Sequence, residues 1–126
     1  MKLRILDNSI RFRLTRPEVE RMASEGEVTG ITSMPGANQF QYRLKSGSAF
    51  QIGMLDNTME FSAPLELIQQ WATNEGRVGF RHSFDLDAGE KLELLVEKDF
   101  QCLTGDSAGN EDYYANPYKG KETEEA

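Results

Sequence analysis

Apolar and polar residues alternate along most of this chain with a period of two. One row holds Leu3, Ile5, Ile10, Phe12, Leu14, Phe40, Tyr42, Leu44, Phe50, Ile52, Met54, Met59, Phe61, Val78, Phe80, Leu92, Leu94 and Val96. The opposite row holds Arg4, Arg11, Arg13, Gln39, Gln41, Arg43, Lys45, Gln51, Glu60, Arg81, Glu93 and Glu97. Side chains of a strand point alternately to its two faces. The pattern therefore predicts mostly antiparallel strands with one dry and one wet side. Two stretches change to helical spacing: Val19, Met22 and Ala23, then Leu65, Ile68, Trp71 and Ala72.

Punctuation residues set the expected boundaries. Strands Lys2 to Leu6 and Ser9 to Leu14 form a hairpin around Asp7-Asn8, both of which tolerate a positive φ. Thr15 caps the following helix, Glu18 reaches back as a capping box, Pro17 sits in the first turn, and Gly26 closes it. Strands Val28 to Met34 and Phe40 to Lys45 follow, around Pro35-Gly36-Ala37-Asn38. The same order then returns. Leu6-Asp7-Asn8-Ser9-Ile10-Arg11-Phe12 is matched by Leu55-Asp56-Asn57-Thr58-Met59-Glu60-Phe61, and Glu25-Gly26-Glu27-Val28 by Glu75-Gly76-Arg77-Val78. In the second copy Ser62 is the expected cap and Gly76 the expected stop, before strands Val78 to Phe84 and Leu92 to Glu97.

These matches predict an α+β fold built from a duplicated ββαββ unit. The unit occurs at residues 1–46 and 48–99, with Ser46-Gly47-Ser48 as a tight joint. The expected product is a single domain over residues 1–118. It would hold one mostly antiparallel, eight-stranded curved sheet or barrel with two helices. Residues 119–126 read as a disordered acidic tail.

Bulk properties narrow the function. With 126 residues the chain can bury a core, and its net charge of -7 argues against a nucleic-acid partner. No apolar run is long enough to cross a membrane, and alternation from Lys2 onward leaves no room for a signal peptide. A cytoplasmic location is expected. One Cys and one His exclude an internal disulfide and a conventional structural zinc site. No phosphate loop, nucleophile elbow, HExxH or Cys-x-x-Cys motif occurs, so no cofactor is implied.

Two resemblances follow from these residues. Duplicated strand-rich halves with one helix each resemble the CYTH-like triphosphate-tunnel barrels, whose charged face binds polyphosphate and metal. Their Glu-x-Glu-x-Lys signature is missing, since the first strand reads Lys2-Leu3-Arg4-Ile5-Leu6. The likeness is therefore architectural and carries no triphosphate chemistry. A second resemblance rests on Met1-Lys2-Leu3-Arg4-Ile5, Asn8 to Leu14, Val96 to Leu103, Glu111-Asp112 and Asn116-Pro117. These are similar to a family of small bacterial proteins without assigned activity.

Arg4, Arg11, Arg13 and Arg43 are the sharpest candidate site. Arg4 and Arg11 lie across the first hairpin, where like charges repel unless an anion stands between them. Guanidinium groups grip phosphate or carboxylate in bidentate fashion. The competing reading is that Glu60, Glu93 and Glu97, on the same face, supply that anion. Cys102 with His82 reads as structural rather than catalytic, Asp106, Asn110 and Asp112 as a solvated loop, and Tyr113, Tyr114 and Tyr118 as packing residues. The chain reads as a binding module for a small anionic ligand or a protein partner. A phosphohydrolase acting on a phosphorylated small molecule is the alternative, and a homo-oligomeric structural protein is the third reading.

Overall fold

The structure is a computed structural model and describes residues 1–99. Cys102, the Asp106 to Asp112 loop and Tyr113, Tyr114 and Tyr118 lie outside the described residues. The elements are β1 Lys2–Leu6, β2 Ser9–Leu14, α1 Arg16–Glu25, β3 Glu27–Met34, β4 Asn38–Gly47, β5 Gln51–Leu55, β6 Thr58–Pro64, α2 Leu65–Thr73, β7 Gly79–Asp85 and β8 Lys91–Lys98. A short 3-10 turn at Asp87–Gly89 joins the last two strands.

Local chemistry accounts for the first helix. Thr15 donates its N–H to Glu18 Oε1 at 2.9 Å, and its hydroxyl to the same oxygen at 3.1 Å. Gly26 closes α1 at φ 79°, a left-handed conformation that suits glycine. The amino group of Met1 pairs with the other oxygen of Glu18 and ties β1 to the start of α1. The second helix departs from expectation at both ends. Pro64, not Ser62, precedes α2, because β6 stays paired with β4 as far as Gly47↔Pro64. Ser62 lies buried within the strand and donates its hydroxyl to Ala49 O at 3.3 Å. At the other end Asn74, not Gly76, follows the last turn, and its Oδ1 accepts the Gly76 N–H at 3.0 Å. That side-chain turn removes the need for a left-handed glycine.

The eight strands form two four-stranded sheets rather than one curved sheet or a barrel. Sheet A has the order β1-β2-β8-β7 and sheet B the order β3-β4-β6-β5. In each, two antiparallel hairpins meet through a parallel central pair, β2 with β8 and β4 with β6. Each half of the chain gives one hairpin to each sheet. A parallel pair requires a crossover. Between β2 and β8 the chain crosses to sheet B after α1 and returns after α2, whereas between β4 and β6 it runs through β5 at the edge of the same sheet. Alternation reports which residues face inward, but not which hairpin pairs with which. Exchanging β1β2 with β5β6, and β3β4 with β7β8, turns one sheet order into the other.

One core lies between the sheets and under the helices. Phe12 of sheet A meets Phe61 of sheet B edge to face at 5.5 Å and stacks on Tyr42 at 6.3 Å. Trp71 of α2 sits edge-on to Phe80 at 5.5 Å and donates its indole N–H to Val78 O at 3.1 Å. His82, on the same face of β7 as Phe80, stacks flat on Phe50 at 3.9 Å. The rows are imperfect toward the hairpin turns. Ile5 and Met54 belong to the apolar row yet are 57% and 62% exposed, while Glu97 in the polar row is only 5% exposed. Among the described residues no helix is long and apolar enough to cross a membrane.

Phe61 is fully buried at the contact between the sheets, whereas Ile31 on β3 is 57% exposed. Phe61→Ala should cost about 3–5 kcal/mol. Ile31→Ala should cost less than about 1 kcal/mol. Urea unfolding of both variants checks the contrast, and similar losses would contradict a core placed between the sheets.

Candidate functional site

Sheet register shows which polar side chains become neighbours. Across the outer face of sheet A the central row reads Arg4, Arg11, Leu95, Arg81. The row nearer the helices reads Lys2, Arg13, Glu97, Gly79, and the row nearer the turns Leu6, Ser9, Glu93, Ser83. Lys2, Arg4, Arg11, Arg13, Arg81 and Lys91 thus share this side of the sheet with Glu93, Glu97, Asp85 and Asp99, the last paired with Lys2 at 3.0 Å. The face is cationic on a protein whose net charge is -7. On sheet B the corresponding central row reads Gly53, Glu60, Arg43, Thr29, beside Gln51, Ser62, Lys45, Glu27. Glu27 and Glu60 balance Arg43 and Lys45 there.

The four arginines therefore do not form one group. Arg4 and Arg11 are direct cross-strand neighbours, and Arg13 lies on the same face. Arg43 lies on sheet B, where it donates to Glu60 at 2.9 Å and to the Thr29 hydroxyl at 3.2 Å. Glu97 receives both Arg11, at 3.2 Å, and Arg13, at 3.4 Å. Internal pairing with Glu97 and Glu60 is thus real, but it is not complete. Among the described residues Arg4 has no ion pair or hydrogen bond from its side chain, and it is exposed.

Arg4, Leu6, Ser9 and Arg11 line a small recess of about 110 Å³. The corresponding positions on sheet B are Gly53, Leu55, Thr58 and Glu60. Together with Arg43, Met54 and Asp56 they line a wider cleft of about 340 Å³. One position accounts for much of the contrast, since Arg4 fills on sheet A what Gly53 leaves open on sheet B. A second contrast is a reversed ion pair. Arg11 on β2 bonds Glu97 on β8, whereas Glu60 on β6 meets Lys45 on β4 at 3.0 Å. The same inter-hairpin bridge is built twice with its charges exchanged.

Three groups outside the arginine row have shifted acidities. The Lys45 ammonium and then the Arg43 guanidinium hold the Glu60 carboxyl below its ordinary value, against a slight effect of burial. Burial pushes the Glu18 carboxyl up, but the Met1 ammonium and the bonds from Thr15 outweigh it, so the net shift is downward. Lys98 is almost fully buried and donates to Asn74 O at 2.8 Å, after the last turn of α2. Burial pushes its pKa below the ordinary lysine value; Glu75 opposes this and Arg16 adds to it. Among the described residues no three His, Cys, Asp or Glu side chains come together as a metal ion would need.

Sequence reasoning singled out Arg4, Arg11, Arg13 and Arg43; it did not place Ser9, Leu95 and Arg81 beside the first three, or Gly53 at the position on sheet B that corresponds to Arg4. The 49-residue offset between Leu6–Phe12 and Leu55–Phe61 aligns Gly53 with Arg4, so that signal was present. Leu95 and Arg81 required the parallel β2–β8 register, which alternation does not encode.

Fold and site together define an α+β protein of two packed four-stranded sheets with a cationic outer face on one of them. The chain belongs to DUF7009, a family of unknown function, whose model matches residues 1–118. No curated protein and no solved structure matches it, and the open sheets do not form the tunnel of the CYTH-like barrels.

A carboxyl held low in the folded state stabilises the fold above its ordinary range, and that stability is lost as pH falls through the lowered value. Glu18→Gln should therefore melt lower than wild type at pH 7 and lose less on acidification from about pH 5 to about pH 2. Glu60→Gln should show the same trend more weakly, because its bridges are partly exposed and solvent-screened. Thermal melts across that range decide, and parallel curves for all three proteins would contradict these assignments.

Proposed function

We propose that this protein is a binding module for a small anionic ligand, held on the outer face of sheet A. The observation that carries this is the row of Arg4, Arg11 and Arg81 around Leu95, with Arg4 unpaired among the described residues. Two guanidinium groups directly opposite each other repel, and an oxyanion between them relieves that cost while accepting bidentate hydrogen bonds. The Ser9 hydroxyl borders the same recess and offers a further donor. Glu97 holds Arg11 and Arg13 in place and leaves Arg4 to the ligand. The recess suits a phosphate or carboxylate group better than a whole nucleotide. Arg43 belongs to sheet B and is left out of this site.

We also read the two sheets as products of one duplicated ββαββ unit. The exchangeable strand orders support this, as do the matching turns at Asp7, φ 50°, and Asp56, φ 53°. On that reading the anion site arose where the two copies diverged, with Arg4 and Arg11 in one and Gly53 and Glu60 in the other.

Melting temperature is the direct test, because a ligand that binds only the folded state raises it by mass action. Phosphate, pyrophosphate, triphosphate and citrate should each be titrated at low and high salt. A polyvalent oxyanion at ten times its Kd should add about 1.4 kcal/mol. High salt should weaken the effect, and Arg4→Ala should remove most of it without lowering the unliganded melting point. Arg4 is the cleaner probe, since Arg11→Ala would also strip a partner from the buried Glu97. No stabilisation by any of these anions, or full stabilisation in Arg4→Ala, would overturn the proposal.

A further inference from the structure

Each sheet ends in two strands with one free edge apiece, and such edges are normally protected by charge. β1 carries Lys2 and Arg4, β3 carries Glu27, and β7 carries Arg81 and Asp85. β5 reads Gln51-Ile52-Gly53-Met54-Leu55 and is the one edge strand among the described residues without a charged side chain. Its last two residues are among the most exposed large apolar side chains described, Met54 at 62% and Leu55 at 76%. A cleft of about 430 Å³ lies along the strand from Phe50 to Gly53, bordered also by Phe84, Glu60 and Ser62.

We infer that the β5 edge is a self-association surface whose partner is the β5 edge of a second copy of this chain. The argument is self-complementarity. An antiparallel pairing with its twofold axis at Gly53 sets Met54 opposite Ile52 of the second copy and Leu55 opposite Gln51 of the second copy. Projecting apolar side chains and cleft lie toward opposite ends of one strand, and a twofold axis reverses the ends. Each Leu55 then enters the other copy's cleft, and two clefts are filled by one operation. Gly53 faces Gly53 at the centre, where an added Cβ would meet nothing within 4 Å in the single chain, so both backbones approach freely. The corresponding pairing of β1 would set Arg4 against Arg4, which explains why the second sheet, not the first, offers the edge.

A five-residue ladder buries little surface, so the dimer is weak and concentration-dependent. Each copy carries a net charge of -7, and salt that screens this repulsion strengthens the association. Salt weakens the anion site on sheet A, so the two sites respond in opposite directions and fail independently.

Sedimentation from about 10 µM to about 1 mM, in the range expected for small interfaces, tests the proposal. Wild type should shift from monomer toward dimer, and more so at higher salt. Gly53→Arg, which gives β5 the residue that β1 has, should stay monomeric with an unchanged melting point. Met54→Lys should do the same. In a Cys102→Ser background, Gly53→Cys should form an intermolecular disulfide under mild oxidation, since directly opposed strand positions lie within bridging distance. A wild type that stays monomeric throughout would overturn the proposal. So would a Gly53→Arg protein that associates like wild type, or a dimer that Gly53→Cys fails to cross-link.

Discussion

The contact of Phe12 with Phe61 is the constraint on which the rest of this fold depends. Each ring stands at the middle of an inner strand, one in each sheet, and both are fully buried. Neither sheet can bury its apolar face alone. The edge-to-face pair at 5.5 Å, extended by Tyr42 and Phe84, joins the two faces into one core. Because that core is shared, each outer face is left to water, and both charged rows lie there. The position of the arginines is thus a consequence of where the phenylalanines meet.

Much of this was readable from residues alone, for definite reasons. Period-two alternation located the strands within a residue or two, and Thr15, Glu18 and Gly26 delimited α1 because cap chemistry is local. The Asp7 and Asp56 turns were readable because a short hairpin demands a residue that tolerates positive φ. Long-range pairing was not readable. That β2 lies parallel to β8 depends on the helices carrying the chain to sheet B and back, and that β4 lies parallel to β6 depends on β5 taking the sheet's edge; nothing in a strand's own pattern encodes its partner. The same gap explains the error at Ser62. Its type suits a cap, but the β4–β6 ladder continues past it to Pro64, and tertiary pairing overrides a local preference.

The candidate site divides along the same line. Arg4 and Arg11 were predicted to be neighbours because they share a hairpin, and they are neighbours. Arg43 shares their face pattern but not their sheet, so a cluster of four became a group of three and one distant residue. Glu97 was expected on the wet side, and it is there in register. It is nevertheless buried, because Arg11 and Arg13 both close on it. A buried carboxylate held by two guanidinium groups is costly to leave unpaired, so this bridge serves as a fixed post rather than a ligand site.

A single pair of positions gathers these threads. Position 4 on β1 and position 53 on β5 correspond, and they hold a long cationic side chain and no side chain at all. Arginine at the first adds charge to a free edge, which discourages strand pairing, and sets a second guanidinium opposite Arg11. Glycine at the second removes both side chain and charge, which empties a cleft and leaves the edge open. The reversed bridges, Arg11 to Glu97 and Glu60 to Lys45, make the same point for the centre of each sheet. The core-facing positions keep their apolar type in both sheets, because packing between Phe12 and Phe61 tolerates little else. The outer positions are free of that demand, so opposite chemistry can stand on one shared geometry.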